Sequence, residues 1–132
     1  DVLAPAIYYA EKGHPLLPRV SNTIAGLKDF FAREWQTSAA FFTPDGRVPA
    51  PREIFRNEAL ANTWKRIIRE SESVKGNREA QIEKAREAFY RGFVAEEIDR
   101  FVRETEVMDE SGSRHRGARL ARDRRGAVGG AV

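Results

Sequence analysis

The sequence predicts a mainly α-helical fold with about five helices joined by proline-rich connectors. Two observations support this prediction. Apolar residues recur at three- and four-residue steps in successive segments, which is the spacing of one helix face. Glycine and proline interrupt that pattern between the segments, whereas no alternating apolar–polar run of strand length occurs. At 132 residues the chain is long enough to bury a core as one domain.

The first predicted helix occupies residues 5–13 and has an apolar face at helical spacing. Gly13 is suited to cap its C-terminus, and Pro15 follows shortly afterwards as a stop. Residues 16–18 are predicted to be extended, because a residue that precedes proline disfavours helical dihedral angles.

The second predicted helix begins near residues 21–23, whose side-chain oxygens could serve as N-caps. Its apolar face consists of Ile24, Leu27, Phe30, Phe31 and Trp35. Residues 39–42 are predicted to form a short helix or turn. A turn at residues 43–46 follows, since proline fixes φ and glycine permits positive φ. Residues 48–51 contain two prolines and are predicted to be extended.

The third predicted helix starts at Asn57 as N-cap and reaches about Glu72. The fourth starts at Asn77 and is more polar than its neighbours. Gly92 separates it from a fifth helix, which ends by about Met108. The residues expected to be buried around the last two helices are Phe89, Tyr90, Val94, Ile98, Phe101 and Val102.

Charge divides the chain into two predicted regions. Residues 1–110 form the helical region and hold 17 Lys/Arg against 19 Asp/Glu. Residues 111–132 form a basic tail with six arginines and one aspartate, so the high pI belongs to the tail. Residues 109–113 look like a linker. From Arg114 onward there is little apolar material to fold around, so a flexible tail is expected.

Composition excludes several kinds of protein. The chain has no cysteine, which rules out disulfides and thiolate metal sites. No apolar run approaches the roughly 20 residues that cross a bilayer, and we expect no membrane partner. No signal peptide is visible, and the localisation stays open. The first residue is Asp1, and residues 1–5 read as the interior of a longer protein.

The chemically active side chains form no catalytic or metal-binding motif in the sequence. His14 and His115 have no carboxylate at metal-ligand spacing. Pairs such as Glu96 and Glu97, or Glu104 and Glu106, are typical of a solvated helix face. The hydroxyl residues Ser21, Thr23, Ser38 and Thr63 stand in no G-x-S-x-G context. We therefore assign no catalytic, cofactor-binding or metal-binding residue.

Two tryptophans and the basic tail could bind a ligand or a nucleic acid. Trp35 and Trp64 could be stacking platforms for a ligand, although their positions on apolar helix faces favour core packing. The arginines of residues 114–125 could bind phosphates non-specifically. The tail contains no aromatic residue that would stack on RNA bases, so we do not expect nucleic acid to be the natural partner.

Three segments together resemble the gamma-glutamyltranspeptidase family. Residues 5–15, P-A-I-Y-Y-A-E-K-G-H-P, resemble the family pattern P-A-I-x-x-A-E-x-G-[FY]-P. Residues 41–49 and 54–63 are similar to its F-x-P-x-G-x-x-P and F-x-N-P-x-L-A-x-T-L stretches. Residues 88–98, A-F-Y-R-G-F-V-A-E-E-I, resemble F-Y-x-G-x-[IL]-A-x-x-I. The order and spacing of the segments carry the resemblance, which covers about residues 1–108.

The resemblance implies a larger parent enzyme with the αββα fold of N-terminal-nucleophile hydrolases. Such a precursor cleaves itself into a large and a small subunit, and the new terminal threonine attacks gamma-glutamyl amides of the glutathione type. This chain matches part of the large subunit only, so the threonine and the substrate lie elsewhere. The implied partners are the rest of the large subunit and the small subunit, and no cofactor is implied. We expect the parent protein to be an enzyme, and we expect the fragment alone to have no catalytic activity.

Two other function classes compete with this interpretation. A helical interaction module independent of catalysis would use exposed apolar surface, and self-association into a homo-oligomer would be its sign. A nucleic-acid-binding protein would act through its arginine-rich tail.

Overall fold

The computed structural model describes residues 2–109 and 111–116, and within them the chain is mainly helical. The six α-helices of this part are α1 Ala4–Lys12, α2 Pro18–Glu34, α3 Gln36–Phe42, α4 Glu58–Glu72, α5 Arg78–Tyr90 and α6 Phe93–Glu104. Four short strands are β1 His14–Pro15, β2 Ile54–Phe55, β3 Glu106–Met108 and β4 Arg114–Arg116. The predicted helices are present, and the predicted short helix or turn is α3.

The strands form two small antiparallel sheets that join distant parts of the chain. β1 pairs with β2, placing His14 opposite Phe55, and β3 pairs with β4. Strands of two or three residues are too short to show a period-two pattern, which explains why the sequence did not reveal them. Within the described residues, no helix is long and apolar enough to cross a membrane.

The predicted caps of α1, α4 and α5 are confirmed. Asn57 Oδ1 accepts a hydrogen bond from the Leu60 amide at 2.9 Å, and Asn77 Oδ1 accepts one from the Ala80 amide at 3.0 Å. Each side chain thereby satisfies one of the amides that a helix start leaves without a partner. Gly13 ends α1 at a φ of 89°, and its amide donates to the carbonyl of Tyr9.

The predicted N-cap of α2 at residues 21–23 is wrong. The helix begins earlier, at Pro18, after an extended Leu17. Proline is well suited to the first helical position, because its φ is already helical and it has no amide hydrogen to leave unsatisfied. Ser21 is therefore inside the helix, where its buried hydroxyl donates to the carbonyl of Pro49 at 2.6 Å.

Each helix packs mainly against one or two others. α4 lies between α1 and α5, α5 also contacts α6, and α2 packs against α3. The buried apolar residues are few and spread over these contacts: Leu16, Ile24, Phe31, Ala61, Ile67 and Ala88. Among the described residues none with a large side chain is below 2% exposed, so these elements only partly close their own core.

Aromatic stacking supplies much of the packing between elements. The Phe42 ring is stacked on Phe31 at 5.8 Å and on Phe55 at 5.9 Å between centroids, joining α3 to α2 and to β2. In the other half of the molecule, Trp64 of α4 is stacked on Phe89 of α5 at 6.3 Å. Such pairs stabilise by about 0.5–1.5 kcal/mol beyond the area that they bury.

The predicted burial around α6 is partly wrong. Tyr90 is 70% exposed, Ile98 50% and Phe101 40%. These residues do follow helical spacing, but α6 contacts only α5 and β4 to an appreciable extent among the described elements, and these leave part of its apolar face exposed. The periodicity identifies an apolar face correctly, whereas burial depends on whether another element covers that face.

In the predicted linker, Asp109 and residues 111–113 connect β3 to β4 as a hairpin. The Asp109 carboxylate accepts hydrogen bonds from the amides of Ser111 at 2.8 Å and Ser113 at 3.0 Å. Arg114–Arg116 consequently form strand β4 instead of the start of a flexible tail, and α6 ends at Glu104 rather than near Met108. Residues 117–132 of the predicted tail lie outside the described residues, and the division at residues 110 and 111 stays a prediction.

Candidate functional site

The proline-rich loop of residues 44–53 is held by several side-chain and backbone hydrogen bonds. Arg47 donates from both terminal nitrogens to the Glu53 carboxylate, at 2.8 and 2.7 Å. The Ala50 amide donates to the same carboxylate at 2.9 Å. Two bonds in parallel fix the relative orientation of the side chains as well as their distance. The part of the loop from Arg47 to Glu53 is thus closed by these bonds.

The loop contains two non-glycine residues in the left-handed region, Asp45 at a φ of 55° and Arg52 at 68°. Such conformations cost about 1–3 kcal/mol each and persist where the surroundings impose them. The constraint at Arg52 is visible, since its amide donates to the Leu16 carbonyl at 2.7 Å. The Leu16 amide in turn donates to the Glu53 carbonyl at 2.9 Å. The loop is therefore a fixed surface held against the segment that precedes α2.

The contacts of Glu53 also shift its ionisation. The hydrogen bonds from Arg47 and from the Ala50 amide lower the pKa of Glu53 to about 2. A general acid or base at neutral pH needs a pKa near the working pH. Glu53 is therefore held in its ionised form, in which its carboxylate accepts the bonds from Arg47 and Ala50 that hold the loop.

The two histidines lie in different sheets and have different neighbours. His14 is exposed in β1, with its ring 6.5 Å from that of Phe55. His115 lies in β4 and approaches the Asp109 carboxylate at 2.6 Å, across the hairpin turn. Within the described part of the chain, no cluster of three or more His, Asp or Glu side chains has metal-binding geometry.

Three of the four hydroxyl residues considered as nucleophiles, Ser21, Thr23 and Thr63, donate hydrogen bonds to backbone carbonyls. Thr63 donates to the Ala59 carbonyl at 2.9 Å, and Thr23 donates to the Arg19 carbonyl at 3.0 Å. Ser21 is occupied by Pro49, as described above. A hydroxyl nucleophile needs an adjacent base that accepts its proton. These three hydroxyls donate to amide oxygens, which cannot take up a proton.

Both tryptophans pack against aromatic neighbours. Trp35 is stacked on Phe31 at 5.8 Å, and its indole Nε1 donates to the Met108 carbonyl at 2.8 Å. Trp64 is stacked on Phe89. In addition, the Arg66 guanidinium lies 3.8 Å from the centroid of the Phe93 ring, which links α4 to α6. The rings serve packing, as their apolar positions in the helices indicated.

Sequence reasoning missed the partners that organise the irregular segments. The pairing of Arg47 with Glu53 bridges six residues around prolines, where no helical spacing gives a signal. The D-x-S-x-S pattern beginning at Asp109 did carry a signal, since aspartate accepts hydrogen bonds from amides two residues ahead in turns.

Comparison with known proteins identifies the family to which this chain belongs. The gamma-glutamyltranspeptidase family profile matches residues 1–114. Two similar solved structures are described as "Structure of LmbA2991T421A" and "Structure of LmbA2991HD", both 46% identical to this chain. Their TM-scores are 0.80 and 0.81, and the matches cover 87% and 88% of this chain. A search of curated proteins finds no match.

The matched region is a small part of those two structures. It covers 19% and 20% of their chains, so this chain spans about one fifth of their length. The profile match extends over helices α1–α6 and both sheets up to Arg114. This chain is a helical fragment that belongs to the gamma-glutamyltranspeptidase family.

Proposed function

We propose that this chain is a non-catalytic helical part of the large subunit of an enzyme that hydrolyses or transfers gamma-glutamyl groups. The observation that carries the proposal is the family match over residues 1–114. It is supported by the chemistry of the chain itself, since the hydroxyls of Ser21, Thr23 and Thr63 donate to backbone carbonyls, which are not proton-accepting bases.

In the proposed reaction, a threonine at the new amino terminus of the small subunit attacks the gamma-glutamyl amide. Its own amino group accepts the hydroxyl proton, because a terminal amine is the nearest base to that hydroxyl. The amine of the substrate leaves with a proton, and the gamma-glutamyl ester remains on the threonine. Water or an acceptor amine then attacks the ester and releases the product. Every reacting group in this scheme lies outside residues 1–132.

The chain contributes rigidity in this proposal. Its clamped loop of residues 44–53 and the stacked rings of Phe31, Phe42 and Phe55 form a surface with little freedom to rearrange. Catalysis requires the substrate and the catalytic groups to be held within a fraction of an ångström of the productive geometry. A rigid surface of this kind is suited to support the wall of a substrate cleft. The rest of the large subunit and the small subunit are the proposed partners.

The proposal is tested on the longer protein that contains this chain. Intact mass and amino-terminal sequencing should show two subunits, with threonine first in the smaller one. The purified protein should release p-nitroaniline from gamma-glutamyl-p-nitroanilide, and a dipeptide acceptor should increase the rate if transfer predominates. Replacing the terminal threonine with alanine serves as the control and should abolish both cleavage and turnover. A single uncleaved chain with full turnover would overturn the proposal.

A further inference from the structure

One pair of opposed residues in the β3–β4 hairpin is bonded to the end of α2 at two points. Met108 and Arg114 lie directly opposite each other in the antiparallel pairing. The Met108 carbonyl accepts a hydrogen bond from the Trp35 indole Nε1 at 2.8 Å, and Arg114 Nη2 lies 3.3 Å from Glu34 Oε2. Because Glu34 and Trp35 are consecutive, both bonds fasten one place in the hairpin to one place at the end of α2. We call these two bonds the latch.

The hairpin is joined to α6, and α6, β3 and β4 are together called the strap. β3 and β4 are paired at three positions, and β4 also contacts α6. The Asp109 carboxylate accepts hydrogen bonds from the amides of Ser111 and Ser113 and lies 2.6 Å from His115 Nε2. Since these bonds connect the two strands to each other, the hairpin moves as one body with the end of α6.

The described contacts of α6 with the rest of the chain are concentrated at its first turn. Among the described elements, α6 contacts only α5 and β4 to an appreciable extent, and it contains no buried residue. The Arg66 guanidinium of α4 lies 3.8 Å from the centroid of the Phe93 ring, and Phe93 is the first residue of α6. Farther along the helix, Ile98 and Phe101 are exposed. The latch therefore holds the end of the strap that lies away from α4 and α5.

Gly92 joins the strap to α5 at a point where a side chain would not fit. An added Cβ would lie 3.0 Å from Ala88 Cα and 3.1 Å from the Ala88 carbonyl oxygen. The Gly92 amide donates to the Glu87 carbonyl in the last turn of α5, and the Gly92 carbonyl accepts from the Glu96 amide in the first turn of α6. A single residue thus connects the two helices, and a change in its dihedral angles would rotate α6 relative to α5.

The latch is weaker than the contacts that hold the helices before the strap. It consists of one hydrogen bond and one ion pair whose arginine is half exposed, and such bonds contribute little net stability. By contrast, α4 packs against both α1 and α5 and adds the stacked rings of Trp64 and Phe89. A helix of 12 residues is marginal in water without tertiary support, so the amides of α6 would lose protection once the latch opened.

We propose that the strap is released as one unit, through opening of the latch and rotation at Gly92, while α1, α4 and α5 stay folded. Release separates Trp35 from the hairpin and leaves Trp64 in its stack with Phe89. Because Glu34 supplies the negative charge of the latch, the charge at position 34 controls how often the strap opens.

Native-state hydrogen exchange of the 132-residue chain, followed for single amides by NMR, tests the release. The best-protected amides of α6 and of the β3–β4 ladder should agree within about threefold, because one opening exposes both. They should also be at least about tenfold less protected than those of α4. Protection of the strap that equals protection of α4 overturns the proposal, whether both are high or both are absent. Protection that differs widely between α6 and the ladder overturns it too.

A charge exchange at the latch provides the matched variants. Glu34→Lys places two cations together and should accelerate exchange throughout the strap by about fivefold or more, with less than about a twofold change in α4. It should leave α2 intact, since a cation is favourable in the last turn of a helix. Adding Arg114→Glu restores an ion pair with reversed charges and should return exchange to within about twofold of the original chain. Unchanged exchange in Glu34→Lys, equal acceleration in α4, or a second substitution that restores no protection would each overturn the proposal.

Discussion

The indole Nε1 of Trp35 donates a hydrogen bond to the backbone carbonyl of Met108 at 2.8 Å, across 73 positions of sequence. Trp35 lies where α2 meets α3, and Met108 ends β3 after α6. This bond therefore ties the aromatic cluster of the first half of the chain to the hairpin that closes the described part of the second half. Because the acceptor is a backbone carbonyl, any residue at position 108 could accept this bond, whereas a phenylalanine at position 35 could stack on Phe31 but has no donor.

Replacing Trp35 with phenylalanine should destabilise the chain by removing this donor. The expected loss in the free energy of unfolding exceeds that of the matched Trp64→Phe variant by about 1 kcal/mol, the typical net contribution of one hydrogen bond. Trp64 is a suitable control because it is also stacked, and its indole has no hydrogen-bond acceptor among the described residues. Urea unfolding of both variants measures the difference, and equal losses would show that the bond contributes nothing.

The pairing of Arg47 with Glu53 should make stability depend on pH in the acid range. The pKa of Glu53 is lowered from 4.5 to about 2 in the folded chain. A lowered folded pKa means that the stabilisation is complete above pH 4.5 and is lost as the pH falls from 4.5 towards 2. Urea unfolding between pH 7 and pH 2 should therefore show a smaller dependence on pH for Glu53→Gln than for the original chain.

Glu79→Gln is the control for that experiment, because Glu79 is exposed and has no ion pair with a described residue. Its pH profile should follow that of the original chain. The interpretation of the clamp fails if Glu53→Gln and the original chain lose stability in parallel between pH 4.5 and pH 2.

Two glycine-to-alanine substitutions should have opposite effects. Gly13 has a φ of 89°, and a Cβ there would lie 2.5 Å from Ile54 Cγ2 and 2.9 Å from the Phe55 carbonyl oxygen. Gly13→Ala should destabilise by about 1–3 kcal/mol through backbone strain and overlap with β2. Gly26 lies within α2 with no atom within 4 Å of an added Cβ, so Gly26→Ala should stabilise by about 0.5–1 kcal/mol. Thermal or urea unfolding gives both signs, and a stabilising Gly13→Ala would contradict the described β1–β2 contact.

The turn after β3 should open when its acceptor is removed. Asp109 accepts from the amides of Ser111 and Ser113 and also approaches His115, and these contacts hold the pKa of its carboxyl well below the usual range. In Asp109→Ala, hydrogen exchange of the Ser113 amide should accelerate by about tenfold or more, since its acceptor is gone. Exchange in α4 should be unchanged. Unaltered exchange at Ser113 would show that strand pairing alone maintains the hairpin.

The helices could be predicted from the sequence because their determinants are local. Asn57 and Asn77 stand three residues before the amides that they cap, and Gly13 follows the helix that it ends. The start of α2 was misplaced for a local reason too. Ser21 is a good cap in general, but Pro18 satisfies the helix start without a side-chain acceptor, and Ser21 bonds to Pro49 instead.

The long-range contacts could not be predicted in this way. The stacking of Phe42 on Phe55 and the bond from Trp35 to Met108 depend on how the elements meet, which no local spacing encodes. Burial on α6 was overestimated at Ile98 and Phe101 for the related reason that an apolar face does not say what covers it. The sequence contains no catalytic motif, and for this reason alone no catalytic residue is assigned. The family resemblance depends on the order of three short segments.

Turnover of gamma-glutamyl-p-nitroanilide by the purified 132-residue chain, assayed beside the longer protein at equal molar concentration, tests the central claim most directly. We expect release of p-nitroaniline by the longer protein and none above the buffer rate by the 132-residue chain, because the proposed nucleophile and its base lie outside this chain. Turnover that co-purifies with the 132-residue chain through successive columns would contradict the assignment of this chain as a non-catalytic part of the large subunit.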